Sequence, residues 1–130
     1  MKKISSVYVL DTTDIKILVT VSELNKDNYY PLNEGVYKIL TGSEDPDINQ
    51  FRGLPTYKTL LSFSSKKVSR LILMLLRYNY LERIYDKTTN ELYLKITVKG
   101  ELEIENYNKK HKYKFVKKEA KKAPVIVKIC

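Results

Sequence analysis

A chain of 130 residues, 43% of them hydrophobic, supports one modest core and one site, and excludes a second domain of ordinary size. Its net charge of +9 favours nucleic acid or another polyanion as partner, while the lack of any apolar run of about 18 residues leaves no membrane-spanning helix; no membrane partner is expected. One cysteine, Cys130, and one histidine, His111, exclude an internal disulfide and a zinc site of ordinary ligand count, so no metal and no cofactor is expected.

The N-terminus, Met1-Lys2-Lys3-Ile4-Ser5-Ser6, has neither the apolar core nor the small-residue cleavage site of a secretory signal. A cytoplasmic protein is therefore expected, associated with the nucleoid if it is bacterial. Residues 4–10 are β-branched and aromatic, which suits an extended segment, and residues 1–12 are read as an N-terminal extension. Asp11-Thr12-Thr13-Asp14 then supplies capping groups ahead of Ile15, Leu18, Val19 and Ser22, spaced as on a helix. Ile17 and Val21 blur that spacing toward strand.

Past the polar break Lys26-Asp27-Asn28, Pro31 stands where a first helical residue would, with Leu32, Val36, Ile39 and Leu40 forming an apolar face and Gly42 closing the helix. Asp45-Pro46 restarts a short helix that carries Ile48 and Phe51 inward, and residues 52–57 form a turn-rich connector. Residues 64–77 read as a capped amphipathic helix. At about 100° per residue, Val68, Leu71, Ile72, Leu75 and Leu76 fall on one side and Lys66, Ser69, Arg70 and Arg77 on the other. Leu73 and Met74 lie off the apolar stripe; neighbouring loops would shield them, or they would meet a partner.

Asn79 is the residue expected to turn left-handed after this helix. Residues 81–85 and 91–96 make a hairpin about the polar turn 86–90, with Leu92, Leu94 and Ile96 on one face and Tyr93, Lys95 and Thr97 on the other. Thr97 caps a last helix that runs from Val98 into the Tyr107 region and is weakened by Gly100. Residues 109–130 hold nine lysines and one acid, a net +8 that leaves about +1 for everything before them; they read as a lysine-rich tail. Within it, residues 125–129 are β-type and are expected to pair with residues 4–10 or with another chain.

A helix leading directly into a two-stranded ribbon predicts an α+β winged helix, built as a helix-turn-helix with a β-hairpin wing. From about Thr13 to Tyr107 the chain resembles the RQC domain, the winged-helix module C-terminal to the helicase core of RecQ DNA helicases. Residues 36–43, Val-Tyr-Lys-Ile-Leu-Thr-Gly-Ser, are similar to the family's helix ending in Leu-Arg-Gly-Ser, with Thr41 in place of arginine. Residues 51–57 are similar to its Gly-x-Gly connector, with Pro55 at the second glycine. Residues 75–81 are similar to its Gln-Leu-Ile-x-x-Gly-Phe-Leu helix end, with Asn79 for glycine, and residues 94–100 to its Leu-Thr-x-x-Gly after the wing. The domain is accordingly placed at 13–108.

The chain departs from RecQ helicases in having no Gly-x-x-x-x-Gly-Lys-Ser/Thr loop for ATP phosphates and no cysteines of the zinc module that precedes the domain. The resemblance implies a free-standing RQC-type protein of DNA replication or repair. It would bind duplex or branched DNA mainly through the phosphate backbone and with low sequence specificity, without catalysis. A helicase or another DNA-processing protein, and a second copy of the chain, are the further partners considered.

Ser64, Ser65, Lys66, Lys67 and Arg70 crowd the start of the main helix, where free backbone N–H groups and the positive dipole end favour phosphate; Ser64 is at the least an N-cap. Arg52, Tyr57 and Lys58 flank the connector. At the wing, Lys87 offers a cation, and by resemblance Tyr85 corresponds to the hairpin aromatic that parts a duplex end in some RecQ helicases; alternatively, Tyr85 and Tyr93 are a cross-strand pair that stiffens the ribbon. No clustered nucleophile and base are present. Two other readings are a dimeric winged-helix transcription regulator that reads paired half-sites, and a winged helix used as a protein-interaction module.

Overall fold

The structure, a computed structural model, describes residues 9–111. Its order is α1 (Thr12–Lys26), α2 (Asn33–Thr41), a 3₁₀ helix (Pro46–Phe51), α3 (Ser65–Arg77), strands β1 (Leu81–Asp86) and β2 (Glu91–Ile96), and α4 (Val98–His111). This is the expected α+β winged helix. Of the predicted extended segment only Val9 and Leu10 are described, and neither lies in a strand; its pairing with residues 125–129 lies outside the described residues.

Helix α1 is the axle of the fold. Asp11 and Asp14 close a reciprocal capping box, each carboxylate accepting the other's backbone N–H at 3.1 Å. Ile15, Ile17, Leu18, Val19, Val21 and Leu24 are all buried, on several sides of the helix, because α1 packs against α2, α3, α4 and β2 together. That is why Ile17 and Val21 disturb a one-faced periodicity: the helix has almost no solvent face. Its buried hydroxyls are satisfied. Thr20 donates to the Lys16 carbonyl at 2.8 Å and meets Thr56, and Ser22 donates to the Glu101 carboxylate at 3.1 Å.

Helix α2 begins two residues later than Pro31 suggests, with Leu32 at its N-cap and no side-chain cap. The reason is long-range. The Pro31 carbonyl accepts the Leu94 N–H of β2 at 2.8 Å, which holds Pro31 outside the helix. Asn25 reinforces this junction: its Oδ1 accepts the Ile96 N–H at 2.8 Å, and its Nδ2 donates to the carbonyls of Tyr29 at 3.0 Å and Leu94 at 3.4 Å. At the far end Gly42 adopts a left-handed conformation, φ 76°, and Ser43 N–H returns to the Lys38 carbonyl at 2.8 Å.

The short helix after Asp45 is 3₁₀. It buries Ile48 in a satellite cluster with Leu24 and Ile39, while Phe51 is only half-buried and meets the Tyr29 ring edge-on at 5.0 Å. Lys38 pins this helix to α2 through Asp45 at 2.7 Å and Asp47 at 3.1 Å; those two hydrogen-bonded carboxylates hold its ammonium well above the usual lysine range. The connector then returns to the main core, Lys58 N–H bonding the Ile39 carbonyl and Leu60 N–H the Leu40 carbonyl, both at 2.8 Å.

Thr97 caps α4 as expected, accepting the Gly100 N–H at 3.0 Å and donating to the Asn79 carbonyl at 2.7 Å. Gly100 does not weaken the helix but permits it. A Cβ there would strike the Tyr80 carbonyl and come within 2.8 Å of Ile96 Cγ1, so α4 crosses this corner only because the side chain is missing.

Candidate nucleic-acid interface

Helix α3 forms because its apolar residues recur at helical spacing, and Ser64 supplies the cap. Ser64 Oγ accepts the Lys67 N–H at 3.1 Å, which leaves its own hydroxyl proton without a partner among the described residues. Val68, Ile72 and Leu75 are fully buried against α1 and α2, and Leu71 and Leu76 are half-buried beside them. This packing turns the opposite face outward. Ser64, Ser65, Lys66, Lys67 and Arg70 are all exposed within the first two turns. The backbone donors at that end and the dipole add partial positive charge to the same place. Lys67 Nζ lies 4.9 Å from the centroid of the Phe63 ring, which orients it beside the helix start.

None of Arg52, Lys58, Lys66, Lys67, Arg70 and Lys87 enters an ion pair among the described residues. All are exposed. None of them has a carboxylate partner among the described residues, in contrast to Lys38, which three carboxylates surround at 2.7–3.5 Å.

The sequence-predicted residues fall into three places. The five on α3 stand together. Lys58 lies just ahead of them, with an unusual left-handed backbone, φ 65°, and its stem crosses the Cα of Gly42. Arg52 follows the 3₁₀ helix beside the satellite cluster, and that helix packs on α2; Tyr57 belongs to the same cluster and donates to the Ser43 carbonyl at 3.0 Å. Tyr85 and Lys87 occupy the third place, the wing.

The wing's register pairs Leu81 with Ile96, Tyr85 with Leu92 and Ile84 with Tyr93. Tyr85 and Tyr93 are therefore not a cross-strand pair; they lie on opposite faces of the ribbon. Each braces the turn from its own side. Tyr85 OH donates to Asn90 Oδ1 at 2.6 Å, and Tyr93 OH bonds Thr89 Oγ1 at 2.9 Å. Asp86 is part of β1 rather than of the turn, its carbonyl accepting the Asn90 N–H at 2.7 Å and its Oδ1 the Thr88 N–H at 2.9 Å. Leu92 shares the face of Leu94 and Ile96 yet is 48% exposed, because the ribbon outruns the core that covers the other two. Tyr85 beside it is 55% exposed.

Two contributors were missed by sequence reasoning. Tyr30 joins Ile84, Tyr85, Asp86, Lys87 and Tyr93 in lining a shallow groove at the wing, an association that depends on the long-range Pro31–Leu94 bond. Arg83 stands on the same wing face as Tyr85, its guanidinium 3.5 Å from Asn33 Oδ1. Leu73 is 54% exposed, so the loops do not shield it.

The family model described as the RQC domain matches residues 12–123. That range holds every described helix and both strands. No curated protein matches the chain.

Proposed function

Because the chain belongs to the RQC domain family, whose members are winged-helix DNA-binding modules, we propose that it holds the phosphate backbone of duplex or branched DNA with low sequence specificity. The start of α3 is the main contact. The observation that carries this is the group Ser64, Ser65, Lys66, Lys67 and Arg70, exposed at a helix N-terminus and free of internal ion pairs among the described residues. Hydroxyls, lysines and orphan N–H groups at one helix end suit a phosphate and carry no base information. Lys58 extends that contact along the strand. Arg52 reaches a phosphate farther along, and Lys87 and Tyr85 meet the duplex from the wing.

Tyr85 fits the role of a wedge at a duplex end: it is aromatic, exposed, and held at its tip by Asn90. A forked or branched substrate is the form on which such a wedge would act, and a DNA-processing enzyme such as a helicase would supply it.

Affinity for blunt, forked and single-stranded DNA at several salt concentrations tests the proposal. The Lys66→Glu/Arg70→Glu chain should bind every duplex more weakly and show a salt slope lower by roughly 2, at about 0.9 per phosphate no longer neutralised. Tyr85→Ala should reduce the preference for forks while leaving blunt-duplex affinity in place. Unchanged affinity in the double charge reversal would refute the α3 assignment, and protection of a single palindrome would favour a sequence-reading regulator instead.

A further inference from the structure

Two outward helix faces of this domain are complementary to each other. On α3, Leu73 is 54% exposed and follows Arg70 by three residues and Lys66 by seven, both of them exposed. On α4, Val98 is 77% exposed and Leu102 52%, and Val98 precedes Glu101 by three residues and Glu105 by seven, again both exposed. At about 100° per residue, offsets of three and seven keep a side chain on the same ridge. Each helix therefore carries an exposed aliphatic side chain with two like charges at one spacing, cations on α3 and carboxylates on α4. The charges run toward the N-terminus on α3 and toward the C-terminus on α4.

These ridges cannot meet within one molecule. Val68, Ile72 and Leu75 of α3 and Ile104 of α4 are buried in the same core, and both helices pack on α1, which turns their exposed faces away from each other. We propose that the α4 face of one molecule docks on the α3 ridge of a second copy, with the two helices antiparallel. Laying Leu73 over Val98 in that orientation brings Arg70 opposite Glu101, about 4.5 Å along the axis, and Lys66 opposite Glu105, about 10.5 Å along it. Leu102 then covers the aliphatic stem of Arg70. Glu101 already accepts the Ser22 hydroxyl at 3.1 Å, and a carboxylate keeps lone pairs for a further donor. Lys109, the nearest cation on that ridge of α4, lies about 6 Å past the place of Lys66.

Charge complementarity selects this occupant: one chain presents both halves at one spacing, whereas the carboxylates of α4 repel DNA. A contact between unlike faces does not close on a two-fold axis, so it builds rings or open chains. It is small, so association is weak and falls with salt. Lys66 and Arg70 are also the phosphate contacts of the DNA-binding reading above. On that reading, and only there, DNA and a second copy compete for α3, and binding DNA releases single molecules from the assembly.

Sedimentation of the full chain at rising concentration in low salt tests the pairing, repeated for Leu73→Gln, for Leu102→Gln/Glu105→Gln, and for the two variants mixed. The parent chain should associate progressively, and less at high salt. Each variant alone should associate about tenfold more weakly or less still, the worth of one aliphatic side chain returned to water. All three positions are exposed, so the urea midpoints should match the parent's. Mixed in equal amounts, the variants should form dimers and nothing larger, because the intact α3 ridge of one still fits the intact α4 face of the other. A saturating short duplex should dissolve the parent's assemblies.

A parent chain that stays monomeric overturns the inference. So does association that either variant leaves intact, or a mixture that stays monomeric. Assemblies that persist with the duplex bound overturn the competition for α3. If the chain binds no duplex in a salt-dependent way, the DNA-binding reading fails, and the pairing between copies is decided by the variants and their mixture alone.

Discussion

Gly100 decides how closely α4 approaches the end of α3 and the root of the wing. Alanine is the better helix former by about 1 kcal/mol, but its methyl would meet the rigid Tyr80 carbonyl and the Ile96 side chain. The clash should win. Gly100→Ala is expected to destabilise the fold by about 1–3 kcal/mol, as overpacking of a tight site does, read as a lower midpoint in urea with an unchanged slope. Tyr80, beside it, has its phenol pushed up first by burial and then by the Glu103 carboxylate. The folded state thus keeps a proton that the unfolded chain releases near the ordinary tyrosine value of about 10. Stability from this group is complete below that pH and falls as pH climbs from there through the raised folded value. Tyr80→Phe should make the urea midpoint less sensitive to alkali than that of the parent chain; equal sensitivity of the two would contradict the assignment.

At the level of elements, Asn25 links α1 to the wing by hydrogen bonds to the Ile96 N–H and the Leu94 carbonyl of β2. Asn25→Ala leaves the Ile96 N–H without its partner in a buried setting and should cost about 1–3 kcal/mol. Amide exchange at Ile96 should then speed up more than exchange within α2. How far the elements could be read from sequence follows from which contacts define them. Helix α3 and the hairpin were legible because each has one buried face, so period 3.6 and period 2 are written directly into Val68, Ile72 and Leu75 and into Leu94 and Ile96. Helix α1 was blurred because it is buried on several sides. The start of α2 was displaced because Pro31 answers to Leu94, more than sixty residues away, and local rules cannot see that bond. The pairing of Tyr85 with Tyr93 failed by one residue of register, set by Asp86 joining the strand, and a one-residue slip moves a side chain to the other face. The site was legible where it is local, in the run Ser64 to Arg70, and illegible where the chain folds back, as with Tyr30 beside the wing.

Across the whole molecule, the net charge is divided unevenly. Most of the net +9 belongs to residues 109–130, whereas the described domain places a few uncommitted cations at α3 and the wing. Replacing Lys112, Lys114, Lys117 and Lys118 by glutamine should weaken binding to blunt, forked and single-stranded DNA by similar factors and lower the salt slope. Each phosphate that the glutamines leave unneutralised should account for about 0.9 of that slope on duplex DNA. The order of preference among the DNA forms should survive. A reversed order would show that the lysine-rich stretch selects as well as attracts.

A ribbon of two strands is marginal by itself and offers unpaired backbone on both flanks. Here the outer side of β2 is already taken: the Leu94 N–H by Pro31, the Leu94 carbonyl and Ile96 N–H by the Asn25 amide. A helix side chain and one loop carbonyl thus stand in for a third strand. Strand addition from another chain is opposed at Leu94 and Ile96, and among the described residues no strand pairs with the β1 side, where Glu82 and Arg83 carry opposite charges. The wing can therefore project from the domain without becoming a template for aggregation.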